Sequence, residues 1–203
     1  MSSLSDLADR SIACGKRAAR AVRFFSLAVM VSGLIAGAAR ADGAITRLGL
    51  TFPDTVGGFT LDGIEDFEAR QPGGGYAGTY VKDQVWADVY VYTDGRDNLP
   101  KRYDPAVSQA EYQSSAGAID QAVSAGVYKS ATAQGTVTLS NGGAPSFHCG
   151  RFVIVTKDQQ NRDSLLCLTN RNGTFIKLRM SAPQGAFATT DTVEFVRFWL
   201  PGS

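Results

Sequence analysis

The 203-residue sequence holds one histidine, three cysteines and three methionines, and each scarcity excludes something. With His148 as the sole imidazole, a zinc site with two or more histidine ligands cannot be assembled. A serine triad would have to form around His148 without a G-x-S-x-G elbow. Charge of one sign is also missing: 20 Lys and Arg stand against 19 Asp and Glu, which removes the basic excess by which proteins hold nucleic acid through counterion release. At 44% hydrophobic and 19% charged residues the chain is neither disordered nor a multi-span membrane protein, and its length suits one globular domain.

What is present begins with residues 1–41, which read as an export signal. A positive stretch (Arg10, Lys16, Arg17, Arg20, Arg23) leads into an apolar run over 24–39, closed by Ala39-Arg40-Ala41. That is the small-x-small pattern of a cleavage site. The run holds Ser32, Gly33 and Gly37 and is shorter than the ~20 residues a spanning helix needs, so no membrane anchor is expected after cleavage. Arg17 is not followed by a second arginine and no cysteine sits just after the run, which argues against twin-arginine export and lipidation. Cleavage would take six basic and two acidic residues from the chain, leaving 14 basic of 20 and 17 acidic of 19 over 42–203, the single expected domain. A periplasmic or secreted location is the expectation.

The same cut removes Cys14 and leaves Cys149 and Cys167, an even pair in an oxidising compartment, for which a disulfide is the default and two buried free thiols the alternative. A bridge needs the two strands in register. A turn centred on Asp158 sets the cysteines opposite one another; one centred near Gln160 offsets them, unless Gly150 supplies a bulge.

Strand signals punctuated by Gly, Pro, Asn and Asp dominate the remainder. Strands are expected over 45–52, 59–61, 65–70, 76–81, 86–93, 135–140, 147–156, 164–169 and 174–180. Asp62-Gly63 is read as a hairpin turn, as are 141–143 and Asn172-Gly173. Asn172-Gly173-Thr174 also matches a glycosylation acceptor, but the turn explains it sufficiently. Two segments are helical. Asp104 and Pro105 open one over about 104–126, with Tyr112, Ala116, Ile119, Val123 and Val127 along a stripe. A second, at about 190–200, gathers Val193, Phe195, Val196, Phe198, Trp199 and Leu200 into a surface too apolar to stay wet. The fold class expected is α+β: an antiparallel sheet of about 7–9 strands packed by a long helix and a C-terminal helix.

Several motifs have plain structural explanations. Gly73, Gly75 and Gly78 satisfy G-x-G-x-x-G, but a strand follows where a dinucleotide site needs a helix N-terminus, so a flexible glycine turn is expected. His148 and Cys149 are strand neighbours and point to opposite faces. Asp62, Glu65, Asp66, Glu68, Asp88, Asp94 and Asp97 leave carboxylate chemistry open by composition alone. No catalytic, cofactor or metal residue is named.

The candidate binding surface lies on 86–92. Alternation sets Trp86, Asp88, Tyr90 and Tyr92 on one face and Ala87, Val89 and Val91 on the other. In the 174–180 strand Phe175, Lys177 and Arg179 share a face. If the two strands are neighbours, Asp88 pairs with Lys177 or Arg179, and the aromatic face serves either as a recognition surface or as a solvated cross-strand cluster.

Strands, one crossing helix, more strands and a closing helix over about 45–200 resemble, in element order, the PsbP-like domains, and the exported character resembles that of many small secreted bacterial proteins. The resemblance implies an accessory or assembly role outside the cytoplasm and assigns no functional residue. The function expected is an exported, soluble, non-catalytic binding or accessory module for a protein or small molecule. The alternatives are an exported carboxylate-dependent hydrolase, with a transiently bound cation, and a carrier of a small apolar ligand.

Overall fold

The computed structural model describes residues 45–142, 144–187 and 190–200. The expected export segment, Cys14 and Gly143 lie outside them. Ten strands and two helices follow in the order β1 (Ile45–Arg47), β2 (Leu50–Phe52), β3 (Thr55–Val56), β4 (Phe59–Asp66), β5 (Tyr76–Lys82), β6 (Val85–Tyr92), α1 (Pro105–Ser124), β7 (Tyr128–Asn141), β8 (Ala144–Thr156), β9 (Asn161–Arg171), β10 (Thr174–Pro183) and α2 (Thr190–Phe198). β1 and β2 form a small ribbon, and the other eight build one antiparallel sheet in the order β3-β4-β5-β6-β10-β9-β8-β7. The fold is α+β, with a strand count inside the expected range. Its one non-local pairing joins β6 to β10 at the centre.

Local chemistry explains the turns. Asn172 and Gly173 carry φ of 53° and 77°, the doubly left-handed pair that a two-residue turn requires, and Arg171 faces Thr174 across it. The 45–52 strand is broken: Leu48 and Gly49, at φ 47° and 74°, fold it into the β1–β2 ribbon. Asp62-Gly63 makes no hairpin. β4 runs through it, and the pairing with β5 skips Asp62 between Leu61 and Gly63, so the extra residue is absorbed as a bulge. β7 begins at Tyr128 rather than 135; its Ala, Ser and Thr residues carry no apolar alternation, and only pairing with β8 makes them a strand.

α1 is capped as its sequence predicts. The Asp104 carboxylate accepts from the amides of Ala106 and Val107 at 2.9 and 3.1 Å. At the other end the amides of Gly126 and Val127 donate to Val123 and Ala122, a Schellman closure with Gly126 at φ 69°. The buried stripe, however, is rotated from the expected one: Ser108, Glu111, Tyr112, Ile119 and Ala122 are buried, while Ala116 and Val123 pack at the margin. The polar members are buried because each has a partner. Asn170 of β9 accepts from Ser108 Oγ at 2.8 Å and from the Asp104 amide, and donates to the carbonyls of Pro100 and Arg102, so one side chain ties the loop and the helix start to the sheet.

The pleat sorts the core into two layers. On one face Ala87, Val89, Val91, Ile176, Leu178, Met180, Cys149 and Cys167 share a core with α2 and the turn after it, where Phe195, Val196, Trp199 and Leu200 are buried with Phe52, Phe59 and Tyr80. Val193 and Phe198 stay about half exposed, so α2 is clamped by one side and not by its whole apolar surface. On the other face α1 lies across β7, β8 and β9. Cys149 and Cys167 sit directly opposite in the β8–β9 pair and form a disulfide, Cα to Cα 4.0 Å. That register is continuous about a turn centred on Asp158, so Gly150 supplies no bulge there. Its role is clearance, since a Cβ at Gly150 would lie 1.8 Å from the Tyr112 hydroxyl.

Candidate functional site

The expected neighbours meet. Arg179 faces Asp88, Lys177 faces Tyr90, Phe175 faces Tyr92 and Ser181 faces Trp86 across β10–β6. α1 covers the β7–β9 half of this face and leaves the β5, β6 and β10 half partly open: Trp86, Asp88, Tyr90, Lys177 and Arg179 are all half-buried. Tyr92 lies at the boundary, its hydroxyl donating to Glu111 Oε1 at 2.8 Å.

Asp88 forms no ion pair within 4 Å with Lys177 or Arg179 among the described residues. Its carboxylate instead accepts from the Thr79 hydroxyl at 2.7 Å. Burial pushes the Asp88 carboxyl above its ordinary value, against the Thr79 hydrogen bond and the Arg179 charge, which favour the ionised form. Strand geometry explains the missing bridge: directly opposed side chains both stand off the sheet, and the short Asp88 chain finds the adjacent β5 hydroxyl first.

Rings and cations organise the rest. Lys177 Nζ lies 4.6 Å from the Tyr90 ring centre and 5.2 Å from that of Tyr92. Phe67 meets Tyr90 at 6.3 Å and carries the Arg70 guanidinium at 5.1 Å. Tyr92 meets Phe175 at 5.4 Å, and Arg96 stacks on Phe175 at 5.1 Å. Arg162 covers Trp86 at 5.0 Å and donates to Ser181 Oγ. The result is a cation–aromatic ladder across the open half of the face. Loss of water lowers the Lys177 ammonium to about 8, the Glu111, Asp88 and Asp94 charges pulling it back up and Arg179 opposing them. The same burial raises the Tyr90 and Tyr92 phenols well above their usual range.

Most other candidate groups are held structurally. Glu68 accepts from the amides of Gly73 and Gly75, both at 2.9 Å. The glycine segment is therefore a packed turn and not a flexible one. A Cβ at Gly75 would lie 1.9 Å from the Val91 carbonyl oxygen, and one at Gly78 2.5 Å from the Phe52 ring. Asp66 accepts from the Ala69 amide, Glu65 pairs with Arg70, and Asp94 and Glu111 share Arg96. His148 stacks edge-on against Tyr112 at 4.5 Å, on the face opposite its neighbour Cys149. A groove of about 460 Å³ lies between the β5–β6 turn and residues 183–186, at the end of the sheet rather than between sheet and helix.

Sequence reasoning passed over Thr79, Arg162, Glu111 and Arg96. Thr79 was legible from the turn between β5 and β6, whose 83–84 centre puts it opposite Asp88. Nothing local marks Arg162 or Glu111.

These features define an α+β domain with an eight-stranded antiparallel sheet and a half-covered, cation-rich aromatic face. No family model matches the sequence, and neither does any curated protein. Among solved structures, the chain resembles in topology the solution structure of cyanobacterial PsbP (CyanoP) from Synechocystis sp. PCC 6803, at 14% identity and a TM-score of 0.46 over 79% of this chain and 94% of that one.

Proposed function

We propose that this chain is an exported, non-catalytic binding module whose recognition surface is the open half of the sheet face: Trp86, Asp88, Tyr90, Lys177 and Arg179, with Tyr92 at its margin. The observation that carries the reading is the ladder itself, in which half-buried rings hold cations on the part of the sheet face that α1 leaves uncovered. Tyr, Trp and Arg are the side chains that most often anchor recognition, because each combines a large apolar body with a polar end. Export is supported by the Cys149–Cys167 disulfide and by the signal pattern of residues 1–41. The non-catalytic character is supported by the structural employment of His148, Glu68 and both cysteines.

A photo-crosslinking residue at position 86, compared with one at exposed Val193 on the other layer, tests the reading in cells. A discrete adduct from position 86 alone is expected. Adducts from neither site, or equally from both, would remove this surface.

Asp88 favours a second reading. Burial raises the Asp88 carboxyl and the Glu65 charge adds to that rise, the direction that the general acid of a carboxylate pair requires. If the chain is a hydrolase of that kind, Asp88→Asn abolishes turnover of a glycoside panel.

A further inference from the structure

We infer that Lys177 and Arg179 form a seat for two carboxylates carried at alternate positions of an extended acidic peptide segment, an inference that rests on reading this face as the recognition surface. Three observations carry it.

The first is spacing. Lys177 and Arg179 lie two residues apart on β10 and face the same side, which sets them about 7 Å apart along the strand. Acidic side chains two apart on an extended peptide repeat at the same interval.

The second is the state of the cations. Lys177 Nζ has rings beside it but no hydrogen-bond acceptor among the described residues, and Arg179 has no ion pair within 4 Å among them. The acids around Lys177 on every packed element are already engaged: Asp88 of β6 with Thr79, Glu111 of α1 with Arg96 and Tyr92, Asp94 of the following loop with Arg96, and Glu65 of β4 with Arg70. An incoming carboxylate therefore breaks no ion pair of Lys177 or Arg179, and it adds to the Glu111 and Asp88 charges that already favour the Lys177 ammonium. A fresh charge pair of this kind gains more than a fully solvated one does.

The third is the surroundings. Trp86 and Tyr90 flank the two cations on β6, offering apolar surface to a peptide's side-chain stems. Arg162 adds a further positive charge at the Trp86 end. The combination selects an acidic chain with apolar neighbours over a free small anion.

The test uses the chain with its disulfide intact and follows the Lys177 side-chain amine by NMR as pH is varied. The probes are a capped pentapeptide with glutamates at its second and fourth positions, its glutamine counterpart and inorganic phosphate. The glutamate peptide is expected to raise the Lys177 titration by about one unit or more and to bind about tenfold more tightly than the glutamine peptide. Lys177→Met and Arg179→Gln, checked for native fold by circular dichroism, are each expected to erase that tenfold preference. Equal binding of the glutamine peptide, an unmoved Lys177, or an equal shift with phosphate would overturn the inference. A crosslink at position 86 alongside an unmoved Lys177 sinks the acidic-peptide seat and leaves the binding face standing; absence of the crosslink sinks the face itself.

Discussion

Ala87, Val89 and Val91 point to one side of β6 and Trp86, Asp88, Tyr90 and Tyr92 to the other, so a single strand contributes to two layers of different construction. The α2 layer is closed by rings on rings: Phe59 on Phe195 at 4.6 Å, with Tyr80 and Trp199 edge-on nearby. The α1 layer is closed only where the helix reaches. Beyond the helix, cations stacked on tyrosine and tryptophan take the place of apolar packing. The contrast teaches that a small sheet can seal one face with apolar packing and leave part of the other uncovered, because alternation separates the two faces residue by residue.

If this division holds, substitutions in the α2 layer cost stability and substitutions on the open face do not. The largest loss is expected from Phe195→Ala, about 3–5 kcal/mol by urea denaturation, since a fully buried ring leaves a cavity among three others. Replacing Cys149 and Cys167 together by alanine is expected to cost about 3 kcal/mol for a bridge spanning 18 residues. A smaller loss would show that the β8–β9 pairing already restricts the unfolded chain.

Asn170→Ala tests the boundary between the layers. It removes four hydrogen bonds at the start of α1 and is expected to cost about 2 kcal/mol, with faster amide exchange confined to 100–108. Change spread evenly over both layers would erase the boundary.

Lys177 gives a pH signature. Its folded value, about 8, lies below its ordinary one of 10.5, so between these values the unfolded chain binds more protons and stability rises with pH. Below about pH 8 both states are protonated and the burden of the buried charge is constant. Tyr90 and Tyr92 act oppositely, and only above pH 10, where the unfolded phenols ionise first. Melting curves from pH 7 to 10 are expected to climb for the parent chain and to stay flatter for Lys177→Met. The smallest effect is expected from Trp86→Ala, about 1 kcal/mol or less in stability because the ring is half-buried under Arg162.

Much of this was legible from local patterns. The Asp104 cap, the Asn172-Gly173 turn, the strand faces and the even cysteine pair all follow from chemistry within a few residues. The errors share one cause. Ser108 and Glu111 lie off the apolar stripe read from the sequence, and they are buried because Asn170, 62 residues on, and Arg96, 15 residues back, meet them. Asp62-Gly63 reads as a turn until β5 lies alongside and makes it a bulge. The candidate face was assembled from alternation within two separate strands, whereas Thr79, Arg162 and the helix that half-covers the face depend on which strands are neighbours.

The amino-acid order alone determined the α+β class, the faces of the 86–92 and 174–180 strands, the Asp104 cap and the Asn172-Gly173 turn, because these follow from backbone stereochemistry and hydrogen bonds over short spans. Only the tertiary structure decided that β6 lies beside β10, that Cys149 meets Cys167 in register, and that Lys177 rests between two tyrosines with its nearby acids engaged elsewhere. Those outcomes depend on contacts between distant segments, whose partners are chosen by the packing of the whole sheet and not by any stretch of it.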